Sequence, residues 1–137
     1  MSDDFPITIF HNPACGTSRN VVAMVQAAGY EPEVVEYLST GWTKPQLQAL
    51  LGAMDATARD ILREKGTPAA ELGLLEPSVT DEALLAAMVE HPILVNRPIV
   101  VTPKGTKLCR PSEAVLDLLD RRPASFTKED GEVVQIA

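Results

Sequence analysis

The first 37 residues predict a strand, a helix and a second strand, and this order restricts the folds that the chain can adopt. Residues 7–10 and 33–37 are short β-prone runs. Between them, residues 18–28 carry apolar side chains at near-helical spacing, and Gly29 follows as a residue that ends helices. A helix that connects two strands in this way favours their parallel pairing in one sheet.

The middle of the chain predicts helices. Thr43 fits the N-cap of a helix with a stripe of leucines, and residues 56–64 predict a shorter helix. Thr80 fits the N-cap of a third helix, which Pro92 ends.

The last third of the chain predicts two strands and a helix. Residues 98–102 and 107–109 predict strands joined by a turn. Pro111 fits position N1 of a last helix. The core face of that helix would comprise Val115, Leu116, Leu118 and Leu119. From Pro123 onwards the chain is polar, and we assign it no regular structure.

The order β-α-β, helices, β-β-α resembles that of the thioredoxin-like (glutaredoxin-like) α/β fold. We therefore expect a single domain over residues 1–137, with a helical insertion between its halves at about residues 43–91. In that fold a redox cysteine lies in the loop before the first long helix, and a cis-proline precedes the third strand. Cys15 and Pro98 occupy those places. We expect the bond before Pro98 to be cis, which an X-Pro bond permits at low energetic cost.

Charge and composition exclude several classes of protein. The formal net charge of −7 argues against a general surface for nucleic acid or anionic membranes, so any bound anion needs a local basic cluster. No apolar run approaches the roughly 18 residues that a membrane-spanning helix needs, and the chain begins with acids rather than with a basic signal-peptide region. We expect a cytoplasmic protein whose two cysteines stay reduced and form no disulfide bridge.

Cys15 is the first candidate for chemistry. A thiolate at a helix N-terminus faces unpaired N–H groups and the positive end of the helix dipole, which lower its pKa. Ser18 stands where a Cys-x-x-Cys motif has its second cysteine and can donate its hydroxyl to the sulfur, so an external thiol must complete any reduction. His11 and Arg19 add candidate positive charge. A Cys-x5-Arg phosphatase loop is excluded, because Val21 occupies the arginine position.

Four stretches of the chain resemble the glutaredoxin-coupled arsenate reductases. They are HNPACGTSRN, the RDILREKG segment with Arg63, HPILVNRPIVVTPKGTKLCRPSE and FTKEDGE, and the match runs from about residue 7 to residue 133. The resemblance implies an enzyme that reduces arsenate to arsenite in the cytoplasm, without a metal or a tightly bound cofactor.

The resemblance also implies roles for particular residues. Cys15 would attack arsenate to form a thiol–arsenate adduct, which glutathione as co-substrate attacks before glutaredoxin removes the glutathione. His11 and Ser18 would tune the thiolate. The oxyanion would be bound by Arg63, Arg97 and Arg110. Arginine suits such an anion because its planar guanidinium donates two parallel hydrogen bonds.

Two other functions stay open on the sequence. One is a non-enzymatic transcription regulator of the same fold that binds RNA polymerase, against which Ser18 and its surrounding block argue. The other is a general glutathione-dependent thiol oxidoreductase, against which the three arginines argue.

The remaining conspicuous residues favour structural roles. Cys109 fits a half-buried strand, and His91 fits a helix cap. The two histidines and two cysteines lack zinc-finger spacing. Trp42 fits an exposed or half-packed position in a loop. The arginines at 59, 121 and 122 fit the surface.

Overall fold

The computed structural model describes residues 5–136, and these residues form two compact units. One unit joins the described residues up to Glu36 to those from Arg97 onwards, and the other unit is Tyr37–Asn96. The expectation of a single domain over the whole chain stays a prediction.

The first unit is built on a four-stranded mixed sheet in the order β2-β1-β3-β4. Strand β1 (Thr8–His11) pairs in parallel with β2 (Glu33–Glu36), as the β-α-β order predicts. Strand β3 (Ile99–Thr102) is antiparallel to β1, and β4 (Gly105–Leu108) is antiparallel to β3. This sheet, with its β-α-β and β-β halves, confirms the thioredoxin-like fold.

Two helical segments of the first unit pack against each other. Helix α1 spans Gly16–Ala27, and a 3₁₀ helix spans Ser112–Leu118. The sequence predicted an α-helix at the second place, with Pro111 at N1, whereas Pro111 is the N-cap residue of a 3₁₀ helix. The apolar spacing of this segment fits a repeat of 3.0 residues as well as one of 3.6, so it does not separate the two helix types.

The polar tail forms a β-hairpin, where the sequence analysis assigned no structure. Strands β5 (Ser125–Thr127) and β6 (Val133–Gln135) pair antiparallel. The turn between them contains Asp130 and Gly131, and Gly131 has a φ of +94°. Phe126 and Ile136 pack against the core and fix the hairpin to the rest of the unit.

The core of the first unit lies between the sheet and the two helical segments. Ile9 and Val100 are paired across β1 and β3, and neither is exposed. The core cluster comprises Ile7, Ile9, Val21, Met24, Val25, Tyr30, Val100, Cys109, Val115, Leu116, Leu118 and Leu119. The packing of α1 on β1 fixes the start of that helix at the end of the strand.

The second unit is helical. Helix α2 (Tyr37–Thr40) precedes α3 (Lys44–Met54), for which Thr43 is the N-cap as predicted, in a capping box with Gln46. Helix α4 (Asp81–Glu90) packs on α3 and begins after the predicted N-cap, Thr80. No helix in residues 5–136 is long and apolar enough to cross a membrane.

The predicted helix at residues 56–64 is shorter than expected. Only Ala58–Ile61 is helical, as a 3₁₀ turn that Thr57 begins. Leu62 is extended and forms an antiparallel bridge with Val95, so pairing with a distant segment replaces the helix there. A further 3₁₀ turn, Pro92–Leu94, leads to Val95.

Trp42 and Arg59 are less exposed than the sequence predicted. Trp42 is buried, and its ring lies 4.9 Å from that of Tyr37. Arg59 is half-buried and donates to the carbonyls of Glu76 at 3.2 Å and Val79 at 2.9 Å. Because these partners lie about 20 residues away along the chain, the local sequence does not predict them.

We expect Ile9→Ala to destabilise the first unit strongly. Ile9 is fully buried in the central strand β1, so truncation leaves a cavity and should lower the free energy of unfolding by about 2–5 kcal/mol. Val34→Ala is the matched control, because Val34 lies opposite Ile9 on edge strand β2 and is partly exposed. The free energy of unfolding of Val34→Ala, measured by urea denaturation followed by circular dichroism, should fall by less than about 1 kcal/mol. Equal losses in the two variants would contradict the packing described for β1.

Candidate active site

The candidate site lies at the end of β1, where the chain turns into α1. Cys15 is the N-cap residue of α1 and has extended backbone angles, with φ −100° and ψ 121°. Asn12 organises the turn before it, because its side-chain Oδ1 accepts from the Ala14 N–H at 2.9 Å. Its carbonyl accepts from the Cys15 N–H at 3.0 Å. The turn therefore places the thiol at the N-terminus of the helix, as predicted.

The surroundings of Cys15 favour the thiolate. Burial raises the pKa of the Cys15 thiol, but hydrogen bonds to the sulfur from the Ser18 backbone N–H and from the Arg97 and Arg110 side chains lower it more. The net result is a pKa below the ordinary value for cysteine. The thiolate is the nucleophilic form of cysteine, and a lowered pKa increases the fraction of Cys15 in that form at a given pH.

Two arginines converge on the sulfur from the segments that flank β3 and β4. Arg110 Nη1 lies 3.7 Å from Cys15 Sγ and donates to the Arg97 carbonyl at 3.0 Å. Arg97 is buried, and its positive charge also lowers the pKa of Cys15. The Arg97–Pro98 bond is cis, as predicted, and Arg110–Pro111 is cis as well. Two guanidinium groups beside one thiolate form a local positive centre in an acidic protein.

Ser18 contacts the sulfur through its backbone rather than through its hydroxyl. The position of Ser18 in the sequence predicted that its hydroxyl can donate to the thiolate. Instead, Ser18 Oγ lies 2.6 Å from His11 Nδ1 and accepts from the Asn12 N–H at 3.1 Å. The side chain is fully buried, so these partners fix its orientation.

His11 contributes a hydrogen bond rather than a charge. Burial and the positive charge of Arg19 lower the pKa of His11, and the attraction of Glu36 only partly offsets them. A pKa below the ordinary 6.5 favours the neutral imidazole, so His11 is a poor source of the positive charge for which it was a candidate. Its role in tuning the thiolate stays a prediction.

The positive charge of Arg19 is paired with Glu129. Arg19 donates from Nε and Nη2 to the two carboxylate oxygens of Glu129, at 2.8 and 2.9 Å. Its Nη1 donates to the Pro13 carbonyl at 2.7 Å. Glu129 was not predicted from the sequence as a partner of Arg19, because it lies 110 residues away along the chain. The only indication of a role for Glu129 in the sequence is its place in the FTKEDGE stretch, which is one of the four that carry the family resemblance.

Arg63 belongs to the second unit. It is half-buried, and its Nε donates to the Lys65 carbonyl at 3.1 Å. Its backbone N–H donates to the Leu94 carbonyl at 2.7 Å. The role that the sequence analysis gave it stays a prediction.

The other candidate residues have structural roles. Cys109 is fully buried, and burial raises the pKa of its thiol to about 12, so it is a core residue as predicted. Both cysteines are free thiols. His91 is the C-cap residue of α4, as predicted. In residues 5–136, no three His, Cys, Asp or Glu side chains are grouped so as to bind a metal ion.

Fold and site together define a thioredoxin-like protein. It has a cysteine at the start of its first helix whose surroundings favour the thiolate, and two arginines whose side chains reach that sulfur. A family model described as the ArsC family matches residues 10–118. The chain therefore belongs to the ArsC family.

Individual relatives agree with this assignment. The chain is 64% identical over 129 residues to arsenate reductase ArsI2 of Synechocystis sp., across 93% of this chain and 92% of that protein. It is 53% identical over 129 residues to an arsenate reductase of Escherichia coli (strain K12), again across 93% and 92%. A solved arsenate reductase from Vibrio cholerae is similar with a TM-score of 0.79 and 37% identity, across 84% of this chain and 98% of the other.

We expect Arg110→Gln to raise the pKa of the Cys15 thiol. The substitution removes a guanidinium group that contacts the sulfur, so the thiolate loses a donor and a positive charge. The rate of alkylation by iodoacetamide, measured against pH, should then rise at higher pH than in the unsubstituted protein. Arg121→Gln is the control, because Arg121 is exposed and stacks on the Tyr30 ring away from the sulfur. Coincident profiles for the two variants would contradict the contact.

Proposed function

We propose that this protein is an arsenate reductase that uses Cys15 as its nucleophile to reduce arsenate to arsenite. The observation that carries the proposal is the position of Cys15 at the N-terminus of α1, where the side chains of Arg97 and Arg110 donate to its sulfur. Membership of the ArsC family, and relatives named arsenate reductase across most of their length, support the same activity.

Arsenate fits the chemistry of the two arginines. Like a phosphoryl group, it carries between about one and two negative charges near pH 7 and offers several acceptor oxygens. Arg97 and Arg110 supply charge-assisted donors for these oxygens, and N–H groups at the start of α1 supply further donors. The acidic surface elsewhere repels anions, so binding concentrates at the arginines.

The reaction needs one sulfur from this chain and others from outside. The Cys15 thiolate attacks arsenic, an S–As bond forms, and one arsenate oxygen leaves as water after protonation. Glutathione then attacks the arsenic of the adduct, a second S–As bond forms and a second oxygen leaves as water. A glutaredoxin thiolate attacks the glutathione sulfur, the bond between that sulfur and arsenic breaks, and its electron pair stays on arsenic, which takes As(V) to As(III) and releases a glutaredoxin–glutathione disulfide. Hydrolysis of the remaining Cys15–As bond releases arsenite and returns Cys15 as a thiolate. Ser18 in place of a second cysteine supports this use of external thiols.

Three further parts of the proposal follow from the resemblance. Arg63 binds the oxyanion together with Arg97 and Arg110. The protein works in the cytoplasm, where both thiols stay reduced. Its partners are arsenate, glutathione and glutaredoxin, and it binds neither nucleic acid nor a membrane.

The proposal predicts that turnover requires every component of a coupled assay. NADPH consumption with glutathione reductase should occur only when arsenate, glutathione and glutaredoxin are all present. Cys15→Ser should lower turnover by at least about a thousandfold, because the nucleophile is lost. Cys109→Ala serves as the control and should keep most of the activity, since Cys109 is a buried core thiol. Arsenate-independent reduction of a glutathionylated peptide by the unsubstituted protein would favour a general thiol oxidoreductase instead.

The three proposed oxyanion ligands should differ from a surface arginine in their effect on arsenate. Replacing Arg63, Arg97 or Arg110 by Gln should each lower kcat/KM for arsenate by about tenfold or more, because a charged donor is worth about 1.5–3 kcal/mol. Arg121→Gln should stay within about twofold of the unsubstituted protein. A normal kcat/KM in Arg63→Gln would remove that residue from the site without affecting the other two.

A further inference from the structure

The turn of the C-terminal hairpin carries two adjacent charged residues that reach two different segments of the site. Glu129 binds Arg19 in the first turns of α1, and Lys128 binds Glu113, which follows the segment that carries Arg110. Both contacts lie in the first unit. We refer to Lys128 and Glu129 together as the clasp.

The first contact of the clasp, between Glu129 and Arg19, reaches the loop that precedes Cys15, and we call it the Glu129 arm. Glu129 accepts hydrogen bonds from Arg19 Nε and Nη2, and Arg19 Nη1 donates to the Pro13 carbonyl at 2.7 Å. The Glu129 backbone N–H also donates to Asn20 Oδ1 at 3.1 Å. A bidentate arginine–carboxylate pair fixes direction as well as distance, so this arm restrains the loop two residues before the thiol.

The second contact of the clasp, between Lys128 and Glu113, reaches the segment after Arg110, and we call it the Lys128 arm. Lys128 Nζ lies 2.8 Å from Glu113 Oε1, and its side chain is only 12% exposed. The same Glu113 oxygen accepts from the Ser112 hydroxyl at 3.0 Å. Lys128 lowers the pKa of Glu113, which keeps this carboxylate ionised. Shielding from water makes such a pair stronger than an exposed one.

The hairpin itself is anchored independently of the clasp. Phe126 and Ile136 pack against the hydrophobic core, and the Lys128 N–H bonds the Glu132 carbonyl at 2.8 Å within the turn. Lys128 Nζ also lies 3.4 Å from Glu132 Oε1 within the turn, but the core contacts of Phe126 and Ile136 remain when either charged side chain is lost, so the hairpin stays in place. Loss of the Lys128 or Glu129 side chain should instead change the position of the segment that this side chain contacts.

We propose that Lys128 and Glu129 are positioning residues for the reaction: Glu129 acts through Arg19 on the Cys15 loop, and Lys128 acts through Glu113 on the segment that presents Arg110. This inference rests on the proposed function for its kinetic consequences only. The reactivity of Cys15 tests the Glu129 arm even if arsenate is not the substrate.

The first test compares Glu129→Gln with Asp130→Asn. Each removes one negative charge from the same turn, but only the first weakens the pair with Arg19. Asparagine keeps the Oδ1 that accepts from the Glu132 N–H. Alkylation of Cys15 by iodoacetamide is measured against pH, and Cys109 does not interfere because it is buried with a pKa of about 12.

A positioning role and a charge-only role predict opposite shifts. If Glu129 positions the loop, its loss misaligns the donors to the sulfur, the profile moves to higher pH, and the rate below the pKa falls about threefold. If Glu129 acts only as a charge, its loss leaves Arg19 uncompensated and the profile moves to lower pH, which overturns the proposal. An unmoved profile with only a lower melting temperature overturns it too. Asp130→Asn should leave the profile in place.

The second test compares Lys128→Met with Lys128→Arg in the coupled arsenate assay. Loss of the pair with Glu113 should raise KM for arsenate about fivefold and change kcat less than about twofold, because Arg110 belongs to anion binding. Arginine should restore KM. Lys107→Met controls for the loss of one positive charge, since Lys107 pairs with Asp117 at the surface. An unchanged KM in Lys128→Met, or no restoration by arginine, overturns the Lys128 arm.

These outcomes separate the inference from the proposed function. If the unsubstituted protein does not turn over arsenate, the proposed function fails while the alkylation profiles still decide the Glu129 arm. If arsenate is reduced but neither pair of variants differs from its control, the proposed function stands and the inference fails.

Discussion

The pKa of the Cys15 thiol depends on two opposing effects, burial of the sulfur and hydrogen bonds to it, and the surrounding residues are arranged to supply those bonds. Burial of Cys15 disfavours its charged form, and this penalty must be exceeded by donors fixed before any substrate arrives. A backbone N–H at the start of α1 and two guanidinium groups supply them. Parallel pairing of β1 and β2 requires a crossover connection, which here is helix α1, so the connection that permits the sheet also supplies the N–H group.

In the proposed function, an acidic chain binds an anion, and this requires a local positive charge that differs from the net charge of the chain. The net charge of −7 sets a weak repulsive field over the surface, whereas Arg97 and Arg110 lie within hydrogen-bonding reach of the sulfur. Coulomb interactions at such distances exceed those across a screened protein surface. The lowered pKa of His11 favours its neutral form and Arg19 is paired with Glu129, so within the first unit the positive charge beside the sulfur comes from Arg97 and Arg110.

The sequence predicted what depends on local patterns. The parallel strands, the caps at Thr43 and Thr80 and the place of Cys15 follow from hydrophobic spacing, capping residues and order along the chain. It did not predict the partner of the Ser18 hydroxyl or the pairing of Arg19 with Glu129, because both depend on tertiary geometry. The hairpin at residues 125–135 was missed although its Asp-Gly turn is a local signal, because its strands have only three residues each.

Ser18 has a consequence for the kinetics of the proposed cycle. Its hydroxyl is engaged by His11 and Asn12 inside the protein, and no sulfur stands in its place. A second cysteine at position 18 would close a disulfide within the chain, in a step independent of concentration. Here completion of the cycle is a bimolecular event, so its speed scales with the supply of small thiol around the protein. In the proposed cycle, Ser18 in place of a cysteine therefore makes the turnover rate depend on the concentration of reduced thiol available to the protein.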